Sequence, residues 1–172
     1  YKAKESGRGR YFFYDTSMDN DREMILSLEW QLRQAIADEQ LNVVFQPVVS
    51  GETPPVIGAE ALVRWTPPGR PPVSPAVFIP VSAKPGLIEH LGVFVLRTAC
   101  ERARAWPDIN FAVNISPVQL RNPSFAAQVA DILETAGIEP GRLTLELTEG
   151  YLIQNPQRAR QSIERLKALG VR

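Results

Sequence analysis

The spacing of hydrophobic positions changes near residue 40. Before that point, apolar residues recur every three or four positions, which predicts a helix over 20–37. Asn20 and Glu23 have the spacing of a capping box at its start. The residues in phase are Ile25, Leu28, Leu32 and Ile36. We interpret this segment as a helix that connects residues upstream of it to the rest of the chain.

After residue 40, short strand-like runs alternate with helical stretches. Strands are predicted at 43–49, 56–65, 110–116 and 142–149, and helices at 86–105, 124–136 and 157–169. This order is typical of a parallel α/β sheet, and Val171 is predicted to enter a further strand. A barrel of eight such units needs about 250 residues, so the expected fold is the first half of a barrel.

Each predicted strand has one apolar face and one face with polar groups, because side chains alternate along a strand. The polar positions are Gln46, Glu60, Arg64, Asn114, Glu146 and Thr148. Most lie toward the carboxyl ends of their strands, where parallel barrels place their sites. The pattern predicts that these groups converge. A sheet with one solvated face, as antiparallel sheets often have, would show the same alternation.

The polar face suggests a particular chemistry. Two carboxylates and an amide oxygen are hard ligands that suit Mg²⁺ or Mn²⁺, and Arg64 is suited to a phosphate oxygen. Together they favour a phosphate ester as substrate. The carboxylates could instead form a general acid–base pair, as in a glycosidase, but the arginine and the asparagine do not favour that alternative.

Composition narrows the function further. The net charge of the 172 residues is zero, which does not favour a nucleic acid polymer as partner. No run is long enough to predict a membrane span, and the N-terminal residues do not resemble a signal peptide. Cys100 is the single cysteine, so no intrachain disulfide can form. It lies in phase with the apolar face of a predicted helix, and we expect it to be inert packing.

Several motifs in a fixed order resemble a known family. They are FQPVV at 45–49, GAEALVRW at 58–65, FIP at 78–80, GLI at 86–88, NISPVQL at 114–120 and ELTE at 146–149. From about residue 39 onward the sequence resembles the EAL-domain family of bacterial cyclic-di-GMP phosphodiesterases. The resemblance implies an α/β fold, a modified TIM barrel of which about the first half is present in this chain.

The resemblance also implies roles for single residues. Glu60 and Glu146 would be catalytic and, with Asn114, would bind Mg²⁺ or Mn²⁺. The positions that would contact the substrate are Gln46, Leu62 and Arg64, with Arg64 on a phosphate. Glu149 would support a loop beside the site.

Residues 1–14 resemble the end of a GGDEF diguanylate cyclase domain. The implied organisation is a GGDEF-like tail at 1–18, a linker helix at 19–38 and the N-terminal half of an EAL domain at 39–172. In the family, two aspartates, a lysine and a further glutamate follow later in the barrel. We therefore expect the chain by itself to be inactive and poorly stable, and the parent protein to be active.

The resemblance also implies binding partners and a cellular location. The expected ligand is cyclic-di-GMP, which the parent protein would hydrolyse to linear pGpG. A homodimer through the EAL domain and a cytoplasmic location are also implied, with any membrane anchor upstream. The alternative is a degenerate EAL domain that acts as a nucleotide receptor or a dimerisation module. At 82–85 the sequence departs from the family pattern with Ser-Ala-Lys-Pro.

Overall fold

The computed structural model describes residues 17–51, 56–83, 86–147 and 156–172. Its strands are β1 (Leu41–Val49), β2 (Val56–Trp65), β3 (Asn110–Ile115) and β4 (Leu143–Leu147). The helices are α1 (Ser17–Ala37), α2 (Pro75–Ser82), α3 (Leu87–Ala103), α4 (Pro117–Arg121), α5 (Phe125–Ala136) and α6 (Pro156–Ala168), and a single 3₁₀ turn covers Pro140–Arg142. The predicted strands and long helices all exist, with ends that differ by a few residues at most.

The four strands form one sheet in the order β1-β2-β3-β4. β2, β3 and β4 run parallel to one another, as predicted. β1 runs antiparallel to β2, so the prediction of an all-parallel sheet is wrong for this pair. The physical reason is visible in the sequence, because a parallel crossover needs a dozen or more residues and only residues 50–55 separate the two strands.

The last residues of the chain add to the sheet beyond β4. The amide of Arg172 donates to the carbonyl of Leu143, and the amide of Leu145 donates to the carbonyl of Arg172. These two bonds are those of a parallel ladder. Two bonds of this kind agree with the prediction that Val171 enters another strand, although the sheet of the described residues has four strands and no strand is assigned at 171–172.

The apolar face of the sheet is covered by helices. Helix α3 lies centrally and contacts β3, β2, α5 and α4. Its buried residues recur at helical spacing, and Phe111 and Val113 of β3 are buried on the same side of the sheet. Helix α1 packs on α2 and α3 through Leu32 and Ala35. The helices therefore occupy one side of the sheet and leave the polar side open.

Three helices differ from the expectation, one in where it begins and two in being present at all. Helix α1 begins at Ser17, which places Asn20 inside it, so the predicted capping box is wrong. Helices α2 and α4 were not predicted. Both begin at a serine–proline pair, Ser74-Pro75 and Ser116-Pro117. The serine is the N-cap and the proline is the first residue of the helix. That pair is a strong start signal for a helix.

Arg142 closes the end of the sheet opposite the polar strand ends. Its guanidinium donates to the carbonyls of Ala103, Ile109 and Trp106, and it lies 5.8 Å from the ring centroid of Phe111. These contacts tie the end of α3 and the loop before β3 to the start of β4. The amino-terminal ends of β3 and β4 are thereby held in register.

Candidate functional site

The predicted polar residues that the structure describes lie on one face of the sheet. In the strand pairing, Gln46 is opposite Glu60 and Asn114 is opposite Glu146. Residues directly opposite one another share a face. The side chains of Gln46, Asn114 and Glu146 are exposed and that of Glu60 is half-buried. The alternation in the sequence therefore identified the open face correctly.

A direct contact joins the two central members of this group. Asn114 Nδ2 donates a hydrogen bond of 2.7 Å to Glu60 Oε1, across 54 residues of sequence. The hydrogen-bonded pairing of β2 with β3 ends at Ala61 and Val113, so the two side chains meet just where the strands part. This bond leaves Glu60 Oε2 and Asn114 Oδ1 as oxygens that can accept or ligate.

A cavity of about 410 Å³ opens beside the point where β2 and β3 part. Leu62 and Arg64 line it from β2, Asn114 from β3, and Ile79, Ile88 and Leu91 from the helices. Arg64 is half-buried, and its Nη1 donates to the carbonyl of Val63 at 2.9 Å. A cationic group and an amide in the lining of a mostly apolar cavity suit a ligand that has both an anionic and an apolar part.

The turn that follows Asn114 is built by a reciprocal capping box. The amide of Gln119 donates to Ser116 Oγ at 3.2 Å, and the amide of Ser116 donates to Gln119 Oε1 at 2.9 Å. Sequence analysis missed both residues. The spacing Ser-Pro-x-Gln was the available signal, because it combines an N-cap, a first-turn proline and a glutamine three positions after the cap.

The oxygen atoms on this face are of the chemical type that binds a hard cation. Glu60, Glu146 and Asn114 offer carboxylate and amide oxygens, which Mg²⁺ and Mn²⁺ prefer. Within the described residues there is no cluster of three or more His, Cys, Asp or Glu that could hold a metal. The two carboxylates are therefore a partial ligand set. Thr148 and Glu149, which were also predicted to lie at the site, fall outside the described residues.

Cys100 is not a candidate nucleophile. It is buried in α3 at 2% exposure, and burial, with a smaller contribution from the charge of Glu101, raises the pKa of its thiol to about 11. Because the thiolate is the reactive form, this side chain is unreactive at neutral pH. The structure agrees with its prediction as inert packing.

Comparison with protein families matches residues 29–172 to the EAL domain. The chain belongs to the EAL-domain family. An uncharacterized signaling protein of Caulobacter vibrioides is 49% identical over 173 residues, which cover all of this chain and 21% of that protein. The bifunctional diguanylate cyclase/cyclic di-GMP phosphodiesterase MucR of Pseudomonas aeruginosa is 36% identical over 176 residues, or 99% of this chain and 26% of MucR. The chain thus spans a fifth to a quarter of these relatives.

Solved structures agree with the family assignment. The PaMucR phosphodiesterase in complex with c-di-GMP superposes with a TM-score of 0.78 at 36% identity, over 84% of this chain and 61% of that one. EAL domains are TIM-barrel-like, and the mixed sheet with its helical layer is the corresponding part of such a barrel. No helix among the described residues is long and apolar enough to cross a membrane.

Proposed function

We propose that the protein containing this EAL domain is a metal-dependent phosphodiesterase that hydrolyses cyclic-di-GMP to linear pGpG. The observation that carries the proposal is the hydrogen bond of 2.7 Å between Asn114 Nδ2 and Glu60 Oε1, with Glu146 opposite Asn114 on the same face. Membership of the EAL family and the likeness to MucR, whose name includes this activity, support the choice of reaction.

Glu60, Asn114 and Glu146 are the proposed metal ligands, with Mg²⁺ or Mn²⁺ as the ion. When bound, such an ion would polarise the phosphate and neutralise its charge. The bond from Asn114 to Glu60 Oε1 orients both side chains before any ion arrives. Pre-orientation of ligands lowers the ordering cost of binding.

Gln46, Leu62 and Arg64 are the proposed substrate contacts. Arg64 has donors besides Nη1, and its planar guanidinium can hold two phosphate oxygens at once. Leu62 lies between Glu60 and Arg64 on the same face of β2, where it can pack on a ribose or a base. Gln46 lies opposite Glu60 and can donate to a phosphate or a hydroxyl group. These contacts would hold the scissile phosphate at the carboxylates.

The remaining parts of the proposal concern the whole protein. We propose the division into a GGDEF-like tail at 1–18, a linker helix at 19–38 and EAL sequence from 39 onward. Glu149 is proposed to support a loop at the site. Further ligands would come from barrel residues outside this chain, which spans 61% of the PaMucR chain. A homodimer and a cytoplasmic location are proposed on the family resemblance alone.

A nucleotide receptor without turnover is the second candidate. The observation that favours it is the cavity beside Arg64, which could hold the nucleotide even if the carboxylates supported no turnover. The two candidates differ in turnover, and a binding measurement alone does not separate them.

The deciding experiment uses the full-length protein with cyclic-di-GMP and Mn²⁺, and follows pGpG by chromatography. We expect pGpG to accumulate with Mn²⁺ and to stop forming after EDTA is added. If cyclic-di-GMP binds at saturating Mn²⁺ and no pGpG forms, the phosphodiesterase hypothesis is wrong and the receptor hypothesis takes its place.

A further inference from the structure

Gln119 has a buried amide with an unused donor. Its side chain is 3% exposed and lies in the first turn of α4, five positions after Asn114. Oε1 accepts the hydrogen bond from the amide of Ser116, whereas Nε2 has no partner among the described residues. A buried donor without a partner costs about 1–3 kcal/mol, which indicates that the position of this side chain is imposed by its other contacts.

The amide of Gln119 rests on Gly92 of helix α3. A Cβ at position 92 would lie 2.0 Å from Nε2 and 2.5 Å from Cδ of Gln119. Real atoms do not approach this closely, so the glycine is required for the observed position of the amide. The Gln119 side chain is thus held between helix α3 on one side and the backbone of Ser116 on the other.

This contact fixes the turn on which Asn114 depends. One edge of β3 is paired with β4 through both Asn114 and Ile115. On the other edge, pairing with β2 ends earlier, at Val113. On the side that faces Glu60, the backbone after Asn114 is therefore restrained by the Ser116–Gln119 capping box instead of a ladder.

We infer that Gln119, seated on Gly92, is a positioning residue that holds Asn114 against Glu60 and thereby sets the metal affinity of the site. The inference rests on the proposed metal-binding role of Glu60 and Asn114. The hydrogen bonds described for Gln119 are with Ser116, so its effect on Asn114 and Glu60 would pass through the turn at Ser116. Outer partners that orient ligands typically change metal affinity by about 10- to 100-fold.

The test titrates the full-length protein with Mn²⁺ alone and measures free Mn²⁺ by electron paramagnetic resonance. The site is defined as the Mn²⁺ binding that is lost in Glu60→Gln. We expect Gln119→Ala and Gly92→Ala each to weaken this binding about tenfold. Gly92→Ala is informative because alanine favours a helix more than glycine does, so a loss cannot come from a weaker α3.

The double variant Gly92→Ala/Gln119→Ala gives the coupling between the two positions. The three atoms nearest to a methyl group at position 92 all belong to the amide of Gln119. Once that amide is absent, we expect the double variant to bind Mn²⁺ no more weakly than Gln119→Ala. Val129→Ala, on the buried face of α5, is the matched control. It should lower the unfolding temperature and leave Mn²⁺ affinity unchanged.

The outcomes separate the two hypotheses. If the unsubstituted protein has no Mn²⁺ binding that depends on Glu60, the proposed function fails, and the inference fails with it. If that binding exists and both single variants keep it at full affinity, Gln119 only packs against α3 and the inference alone is overturned. Additive losses in the double variant would also overturn it, because they would place the two residues in separate roles.

Discussion

The two ends of the parallel sheet are built in opposite ways. At the amino-terminal end of β3 and β4, Arg142 bonds three backbone carbonyls, and the rings of Phe45, Trp106 and Phe111 lie within 5.7–6.1 Å of one another. At the carboxyl end, β2 and β3 part after Ala61 and Val113, and a cavity of about 410 Å³ begins there.

This difference separates stability from function within one sheet. Contacts at the amino-terminal end satisfy backbone groups and pack rings, which serves the fold. The polar contacts at the carboxyl end lie beside a cavity, and the strands there leave room for a ligand. Parallel barrels in general divide their two ends in this way. Substitutions at one end should therefore change stability, and those at the other should change activity.

The largest effect is expected for Glu60→Gln. Glutamine keeps an oxygen that can accept the hydrogen bond from Asn114 Nδ2, but it removes the charge that would attract the metal ion. Hydrolysis of cyclic-di-GMP by the full-length protein should fall by more than about 100-fold, beyond the loss typical of an outer-shell partner. The unfolding temperature should change less in Glu60→Gln than in Arg142→Met, which is described next. Unaltered turnover would remove Glu60 from the site.

Arg142→Met should show the reverse behaviour. Methionine fills part of the space but donates no hydrogen bond to Ala103, Trp106 or Ile109. Because the hydrogen bonds from a charged donor to these carbonyls are lost, we expect a loss of about 2 kcal/mol in the free energy of unfolding. Thermal unfolding of the full-length protein measures it, and turnover below the transition should stay normal. A selective loss of turnover would contradict the division between the two ends.

A smaller effect is expected for Arg64→Lys. Lysine keeps the charge and loses the planar fork that can bind two phosphate oxygens. We expect KM for cyclic-di-GMP to rise by about tenfold, in line with a hydrogen bond to a charged group, while the unfolding temperature stays the same. Steady-state kinetics with saturating Mn²⁺ provide the measurement. An unchanged KM would show that Arg64 lines the cavity without binding the phosphate.

The sequence by itself determined the local features of this domain. Strand positions and the face that carries Gln46, Glu60, Asn114 and Glu146 follow from period-two alternation, because burial of one face imposes that pattern on neighbouring residues. Helices α2 and α4 were also encoded locally, in the serine–proline pairs, although the hydrophobic period of such short helices is too brief to indicate them.

Only the tertiary structure decided how distant segments meet. The bond between Glu60 and Asn114 across 54 residues and the contact of Gln119 with Gly92 both depend on the register of strands and the packing of helices. Arg142 is the same case, since its acceptors lie 33–39 residues earlier in the chain. Alternation states which side of a strand a residue faces, and it carries no information about which residue of another segment lies opposite. That partner is set by strand pairing and by close packing of the core.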